Sequence, residues 1–170
     1  MEAQPNMPQQ THVSGHAEAS STIGAGPETV FAVLDDQTRL AKHMDRPSMM
    51  MGGGRMTYEF DAAKGQSVGS HIRMGGEAFG HKLAVEEVVT EREPPNRKVW
   101  RTIGIPQLMV IGPYEMGFEL RPATDGSYLR VWIDYSPPGQ GIGRWAPWLG
   151  AIYARWCVGR MVKDAASHFH

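Results

Sequence analysis

The stretch YEMGFELRPATDGSYLRVWIDY, residues 114–135, predicts two β-strands joined by a tight turn. Apolar and polar residues alternate on both sides of Asp125-Gly126, a dipeptide typical of hairpin turns. Pairing Leu120 with Leu129 places every apolar residue on one face, because a one-residue slip would turn them all to the other face. The predicted inner row consists of Tyr114, Met116, Phe118, Leu120, Leu129, Val131, Ile133 and Tyr135. The outer face then sets Trp132 opposite Gly117 and Glu119 opposite Arg130.

A long C-terminal helix follows this hairpin after a glycine-rich break at residues 139–143. It is predicted from Trp148 to Phe169, with small and flexible apolar residues on one narrow arc. A sheet with one apolar face needs one cover, and this helix is the longest element available. We therefore predict an α+β fold in which a curved antiparallel sheet wraps around the helix. The predicted arc contains Ala154, Val158, Met161, Ala165 and Phe169, while Trp156 falls on the charged side.

Two further hairpins are predicted upstream. In the first, residues 56–60 pair with the strand that contains Ile72, with Tyr58 expected opposite Ile72. In the second, residues 81–91 pair with residues 97–103 around a double-proline turn. We expect Val89 opposite Val99, since this register pairs Glu87 with Arg101. The alternative register sets Arg92 against Lys98, two like charges.

The N-terminal part predicts a first strand at residues 12–23 and a helix that begins at Pro27. A second short helix is predicted from Gln37 to Met44. The chain of 170 residues is long enough for one domain with a core. We expect a flexible tail at residues 1–11 and a single domain at residues 12–170.

Composition excludes several classes of function. The formal net charge is −1, with 17 basic and 18 acidic residues, which gives no field that attracts nucleic acid. Cys157 is the only cysteine, so an internal disulfide is excluded and a reducing compartment is favoured. No signal-like or membrane-spanning run occurs, so we expect a cytoplasmic protein without stable membrane insertion. The seven histidines lack the spacing of a metal site, and we expect no metal and no cofactor.

Four phrases, in order, resemble the START-like superfamily, and specifically its polyketide cyclase/dehydrase (SRPBCC) group, which shares the fold of the major birch pollen allergen. They are the helix opening at residues 25–31, the hairpin at residues 88–100, the strand phrase at residues 118–126, and the final helix at residues 155–169. The resemblance implies a helix-grip fold with a cavity between sheet and helix. It also implies binding of hydrophobic molecules such as lipids, sterols or polyketides. It implies no particular catalytic motif, because the superfamily mixes carriers, cyclases and interaction modules.

The most interesting polar residues are Glu87 and Arg101, which the expected register places on one row. If that row faces inward, Arg101 could orient a ligand carbonyl and Glu87 could move a proton. In the alternative, this face is the solvent side, and Val88 and Trp100 face inward. The candidate ligand-binding residues are Glu87, Trp100, Arg101, Tyr114, Met116, Phe118, Ile133, Tyr135, Val158 and Met161.

Three functions stay open from the sequence. The first is a module that binds a hydrophobic small molecule, lipid- or polyketide-like, between the sheet and the last helix. The second is an enzyme of the cyclase or dehydratase type that uses the same cavity. The third is a START-like interaction module, with an exposed apolar surface around Trp145, Trp148 and Trp156. This tryptophan cluster is expected to be packing or a loop cover, and the alternative is a partner surface or a cavity mouth. A homo-oligomer is compatible with each of the three functions.

Overall fold

The computed structural model describes residues 13–39 and 56–170. Besides the helical residues 37–39, seven strands, two α-helices and one 3₁₀ helix follow one another within these two ranges. They are β1 (Gly15–Ile23), α1 (Pro27–Asp35), β2 (Met56–Phe60), β3 (His71–Ala78), β4 (His81–Glu93), β5 (Arg97–Gln107), β6 (Tyr114–Ala123), β7 (Gly126–Tyr135), the 3₁₀ helix η1 (Ile142–Arg144) and α2 (Pro147–His168).

All seven strands form one antiparallel sheet in the order β1-β7-β6-β5-β4-β3-β2. The long helix α2 packs mainly against β1, and next against β7, at one edge of this sheet. The predicted helix-grip architecture is therefore confirmed. Because α2 packs on β1 and β7 at one edge of the sheet, the inner face of β2 to β5 lies farther from these helix contacts.

The β6–β7 hairpin has the predicted register at every position. Leu120 pairs with Leu129, and Tyr114 pairs with Tyr135. On the outer face Trp132 covers Gly117 so closely that a Cβ at position 117 would lie 2.6 Å from the indole ring. The guanidinium groups of Arg97 and Arg130 lie 4.8 and 5.3 Å from the Trp132 ring centroid.

The predicted registers of the other two hairpins are wrong. Tyr58 pairs with Met74 and Phe60 pairs with Ile72, a shift of two residues that keeps the same faces. In the β4–β5 hairpin, Arg92 lies opposite Lys98. This is the like-charge pair of the register that was not expected.

The reason for that like-charge pair lies on α1. The Asp35 carboxylate accepts hydrogen bonds from Lys98 Nζ at 2.8 Å and from Arg92 at 2.8 Å, so one buried anion holds both cations. Two residues closer to the middle of the strand, a β-bulge between Val89 and Glu91 changes the register. The bulge then pairs Val89 with Trp100.

The core lies between α1, α2 and the β6–β7 hairpin. Phe118 packs against Phe31 of α1 and Trp100 of β5, with ring centroids 5.5 and 6.4 Å apart. The predicted arc of α2 is confirmed, since Ala154, Val158, Met161 and Ala165 are buried and Phe169 is half-buried.

The second predicted helix is described only at residues 37–39, which are helical. Its remaining residues lie outside the described part of the chain, as does the expected tail at residues 1–11. Within residues 13–39 and 56–170, no helix is long and apolar enough to cross a membrane.

Candidate functional site

The β-bulge decides which polar residues of the β4–β5 hairpin face α2. Beyond it, Glu87 pairs with Thr102 and Val88 pairs with Arg101. Glu87 is 5% exposed, whereas Arg101 is exposed on the opposite face. The prediction that Glu87 and Arg101 share a row is therefore wrong. The stated alternative is also wrong in part, because Trp100 is buried on the inner side but Val88 lies beside Arg101.

Glu87 is the buried acid of this inner face. The Tyr114 hydroxyl donates a hydrogen bond to Glu87 Oε1, and the Trp100 side chain also hydrogen-bonds the carboxyl. Burial raises the pKa of Glu87 to about 7, although both hydrogen bonds and the charge of Lys98 lower it. A carboxyl with such a pKa exchanges its proton near neutral pH.

Tyr114 is held in place by its own backbone. Its N–H donates to Thr102 Oγ1 at 3.1 Å, and the Thr102 hydroxyl donates back to the Tyr114 carbonyl at 3.4 Å. Thr102 in turn pairs with Glu87 in the β4–β5 ladder. The three residues therefore link β4, β5 and β6 at one level of the sheet, and the phenol is aimed at the carboxyl.

Three further groups belong to the same cluster. Tyr58 comes from β2, and Tyr153 and Cys157 come from successive turns of α2. Burial and then the charge of Glu87 raise the pKa of Tyr58 and of Tyr114. The neighbouring Cys157, and then burial, raise the pKa of Tyr153, on which Glu87 also acts. The sheet and the helix thus present polar groups to one another around Glu87.

Some residues of this cluster lie deep in the protein and still keep surface that is accessible to solvent. The polar atoms of Tyr114, Tyr153 and Cys157 lie deep in the protein, yet each residue keeps accessible surface and is only half-buried. Met116, next to Tyr114 on the inner row, is half-buried as well. Burial raises the pKa of the Cys157 thiol to about 12, although a hydrogen bond with Tyr153 lowers it.

The other predicted ligand-binding residues lie in the packed core. Phe118 and Val158 expose none of their surface, and Ile133 exposes 2%. Tyr135 packs over Gly15, where an added Cβ would lie 2.2 Å from its ring, and so it fills the space beside β1. Met161 is buried on the arc of α2 that faces the same core. Tyr135 and Ile133 pair with Tyr114 and Met116 on the inner row, so this core adjoins the half-buried surface around Glu87.

Sequence reasoning missed Tyr58, Thr102, Tyr153 and Cys157 as members of the site. In β2, Tyr58 alternates with polar residues and shares a face with Met56 and Phe60, a signal that could have placed it on the inner side. Tyr153 and Cys157 are four residues apart and lie at the edge of the apolar arc of α2, a position that a search for polar groups beside the arc would have found.

The cluster combines a carboxyl that titrates near neutrality with hydroxyl and indole donors. Such a set can hydrogen-bond a carbonyl or hydroxyl of a mostly apolar molecule, and it can hold or release one proton. In the described ranges, no three His, Cys, Asp or Glu side chains converge as metal ligands would.

Fold and site together define a helix-grip protein of the START-like type, with polar groups between its sheet and its long helix. Residues 14–169 match the family model described as polyketide cyclase / dehydrase and lipid transport, and the chain belongs to this family. No curated protein matches it in sequence.

Solved structures with this fold come from distant organisms. The TTHA0849 protein of Thermus thermophilus is 18% identical, with a TM-score of 0.67 over 90% of this chain and 95% of that one. The CV1439 protein of Chromobacterium violaceum is 22% identical, with a TM-score of 0.61 over 91% and 96%. The major latex-like protein 151 of Panax ginseng is 9% identical, with a TM-score of 0.57 over 93% and 99%. At these identities, the likeness is one of fold.

Proposed function

We propose that this protein binds a mostly apolar small molecule, lipid- or polyketide-like, between its sheet and α2. The observation that carries the proposal is the half-buried state of Tyr114, Met116, Tyr153 and Cys157 around the buried Glu87. Accessible surface at such depth is typical of a wall that faces an internal space. The family description, which includes lipid transport, supports a ligand of this class.

The polar pair at the centre would orient the ligand. The Tyr114 hydroxyl and the Glu87 carboxyl offer a donor and an acceptor within an apolar wall, which is how sites of this kind select a carbonyl or hydroxyl group. In this proposal the ligand-binding residues are Glu87, Trp100, Tyr114, Met116, Tyr58 and Tyr153. Arg101 takes no part, because it is exposed on the outer face.

Native mass spectrometry of the protein purified from its own host tests the proposal. We expect a bound small molecule, and a Met116→Trp variant should lose it because the larger ring fills the space. Arg101→Ala is the control and should retain the molecule, with circular dichroism confirming that both variants fold. Binding of the neutral dye Nile red provides a second measurement. Wild type and Arg101→Ala should bind the dye more tightly than Met116→Trp. Only unliganded masses, together with equal Nile red binding by wild type and Met116→Trp, would refute ligand binding at this site.

A second candidate function is an enzyme of the cyclase or dehydratase type. The specific observation in its favour is the pKa of Glu87, which burial raises to about 7, next to a phenol that donates to it. Such a pair suits general acid–base catalysis near neutral pH. Incubation of the recovered ligand with the wild type and with Glu87→Gln separates the two functions. Conversion by the wild type alone supports the enzyme, and unchanged ligand in both supports the carrier.

We also propose that the protein works in the cytoplasm, a reducing compartment in which its single thiol stays free. Fractionation of the host cells, with the protein followed by antibody, tests the location. Recovery in an extracellular or periplasmic fraction would contradict it.

A further inference from the structure

Four large apolar side chains lie exposed close together in the sequence where α2 begins. Trp145 is 84% exposed and Trp148 is 61% exposed, and they are accompanied by Ile142 at 54% and Ile152 at 45%. Trp148 and Ile152 are four residues apart in α2 and so lie on one face of the helix. We call these four residues the tryptophan face. Clustered exposed apolar residues of this size mark an interaction surface rather than ordinary scatter.

The segment that contains the tryptophan face has an excess of positive charge. From Ser136 to Lys163 the sequence has no acidic residue and four basic ones, although the whole chain has a net charge of −1. The guanidinium of Arg144 lies 5.9 Å from the Trp145 ring centroid. Arg155 is exposed and donates to the Ala151 carbonyl at 3.3 Å. Arg160 is paired with Asp164 at 3.0 Å, just beyond the segment. Arg144, Arg155 and Lys163 still leave a local positive region on a chain whose remainder is acidic.

We propose that the tryptophan face docks reversibly on the surface of an anionic lipid bilayer. Indole rings settle at the level of lipid headgroups, because one edge is polar and the rest is apolar. Arginines beside them attract anionic lipids, and the combination of apolar rings with basic residues is typical of interfacial helices. The segment around the start of α2 carries both the exposed apolar side chains and the basic residues.

A second copy of this chain fits the surface less well. A two-fold dimer would place the same patch of both subunits face to face. Arg144 and Arg155 would then meet their own copies, with no acidic residue in the segment to balance them. An anionic bilayer supplies the missing negative charge.

Docking would also bring the proposed ligand site close to lipid. Tyr153 and Cys157 lie on the same helix, and Tyr153 directly follows Ile152. The docking proposal does not depend on the ligand, because empty protein would bind the same bilayer.

Flotation of the purified protein with vesicles of phosphatidylcholine containing about a third phosphatidylglycerol tests the proposal. We expect binding at low salt that weakens as salt is added, and little binding to phosphatidylcholine alone. Trp145→Ala and Trp148→Ala should each weaken binding about tenfold, since each removes a large apolar area that docking would bury in the bilayer. Tyr128→Ala is the matched control, because Tyr128 is an exposed aromatic residue on β7.

A second pair of variants separates local charge from net charge. Arg155→Glu should weaken vesicle binding at least about tenfold. Loss of one positive charge near an anionic surface weakens binding roughly fivefold, and the new negative charge adds repulsion. Arg121→Glu, an equal change at an exposed site on β6, should leave it unchanged. Absence of binding to anionic vesicles at low salt would overturn the proposal. It would also be overturned by a dimer in light scattering that Trp145→Ala dissociates, or by equal effects of Arg155→Glu and Arg121→Glu.

Discussion

The hydroxyl of Tyr114 donates to Glu87 across an intervening strand, since Tyr114 lies on β6 and Glu87 on β4. The strand between them, β5, provides Thr102, which pairs with Glu87 and bonds the backbone of Tyr114. The donor and the acid are thus positioned by the sheet itself and not by a mobile loop. A geometry fixed in this way predicts measurable properties of both residues.

Glu87→Gln should change how stability depends on pH. Burial raises the pKa of Glu87 to about 7, so the folded protein keeps a proton that the unfolded chain releases above its ordinary pKa near 4.5. The unfolded state binds fewer protons in that window, and wild-type stability should fall by about 3 kcal/mol as pH rises from 4.5 to 7. Glu87→Gln should remove this fall. Urea denaturation at a series of pH values measures it.

The control for that experiment is the neighbouring acid on the outer face. A hydrogen bond from His71 lowers the pKa of Glu86, and Arg73 adds to the effect. Glu86→Gln should therefore retain the wild-type fall in stability between pH 4.5 and 7. A Glu87→Gln profile parallel to that of the wild type would show that Glu87 is not protonated in the folded protein.

Tyr114→Phe should raise the pKa of Glu87 further. The hydrogen bond from the phenol favours the ionised carboxyl, and its loss leaves burial opposed by fewer groups. The side-chain carboxyl carbon of Glu87, followed by NMR against pH, should titrate at a higher midpoint in the variant. Tyr128→Phe, at an exposed position, should leave the midpoint where it is. A midpoint that falls in Tyr114→Phe would contradict the assigned direction of the hydrogen bond.

Cys157 should react slowly with thiol reagents while the protein is folded. Burial raises its pKa from 9.0 to about 12, and the thiolate is the reactive form. At pH 8 the rate with 5,5′-dithiobis(2-nitrobenzoate) should be about a thousandfold below that of an ordinary cysteine, because the thiolate fraction falls tenfold per pKa unit. The same protein in guanidinium chloride is the control and should react at the ordinary rate. Equal rates in the two states would place the thiol in open contact with water.

Two glycines should respond to alanine in opposite directions. At Gly117 a Cβ would lie 2.6 Å from the Trp132 ring and 2.8 Å from the Lys98 carbonyl oxygen, so Gly117→Ala should cost about 1–3 kcal/mol of unfolding free energy. At Gly159 in α2 a Cβ meets nothing within 4 Å. Gly159→Ala should therefore stabilise the protein by roughly 0.5–1 kcal/mol, since alanine favours a helix. Thermal unfolding compares the two, and a loss of stability in both would show that Gly159 has an unseen constraint.

The β6–β7 hairpin shows what the sequence can specify. Its apolar residues alternate without interruption, and only one register buries them all, so Tyr114 and Tyr135 can be paired correctly by periodicity alone. The helix arc of α2 is predictable for the same reason, because Val158 and its neighbours repeat at helical spacing. Local patterning is enough in both cases.

The β4–β5 hairpin shows where that reasoning ends. Both of its registers look plausible from strand pairs alone, and charge favours the wrong one. The deciding group, Asp35, lies on α1, 63 residues before Lys98. Arg101 faces outward because Lys98, three residues earlier in the regular part of β5, faces inward. The bulge at Thr90 in β4 turns Glu87 to the same face as Trp100. Neither the distant carboxylate nor the bulge has a periodic signal, so the site could be predicted only in part.

Asp35→Asn should be strongly destabilising, because it leaves the fully buried Lys98 without its counter-charge. Removal of one partner of a buried ion pair typically costs about 3–5 kcal/mol, whereas replacement of both partners can be nearly neutral. The double variant Asp35→Asn/Lys98→Met should therefore be more stable than Asp35→Asn alone, as measured by urea denaturation. Asp36→Asn is the matched control and should change little, since asparagine can still accept the Thr38 N–H bond that Asp36 accepts at 3.2 Å. If the double variant were less stable than Asp35→Asn, Lys98 would contribute to stability through its packing and not through its charge.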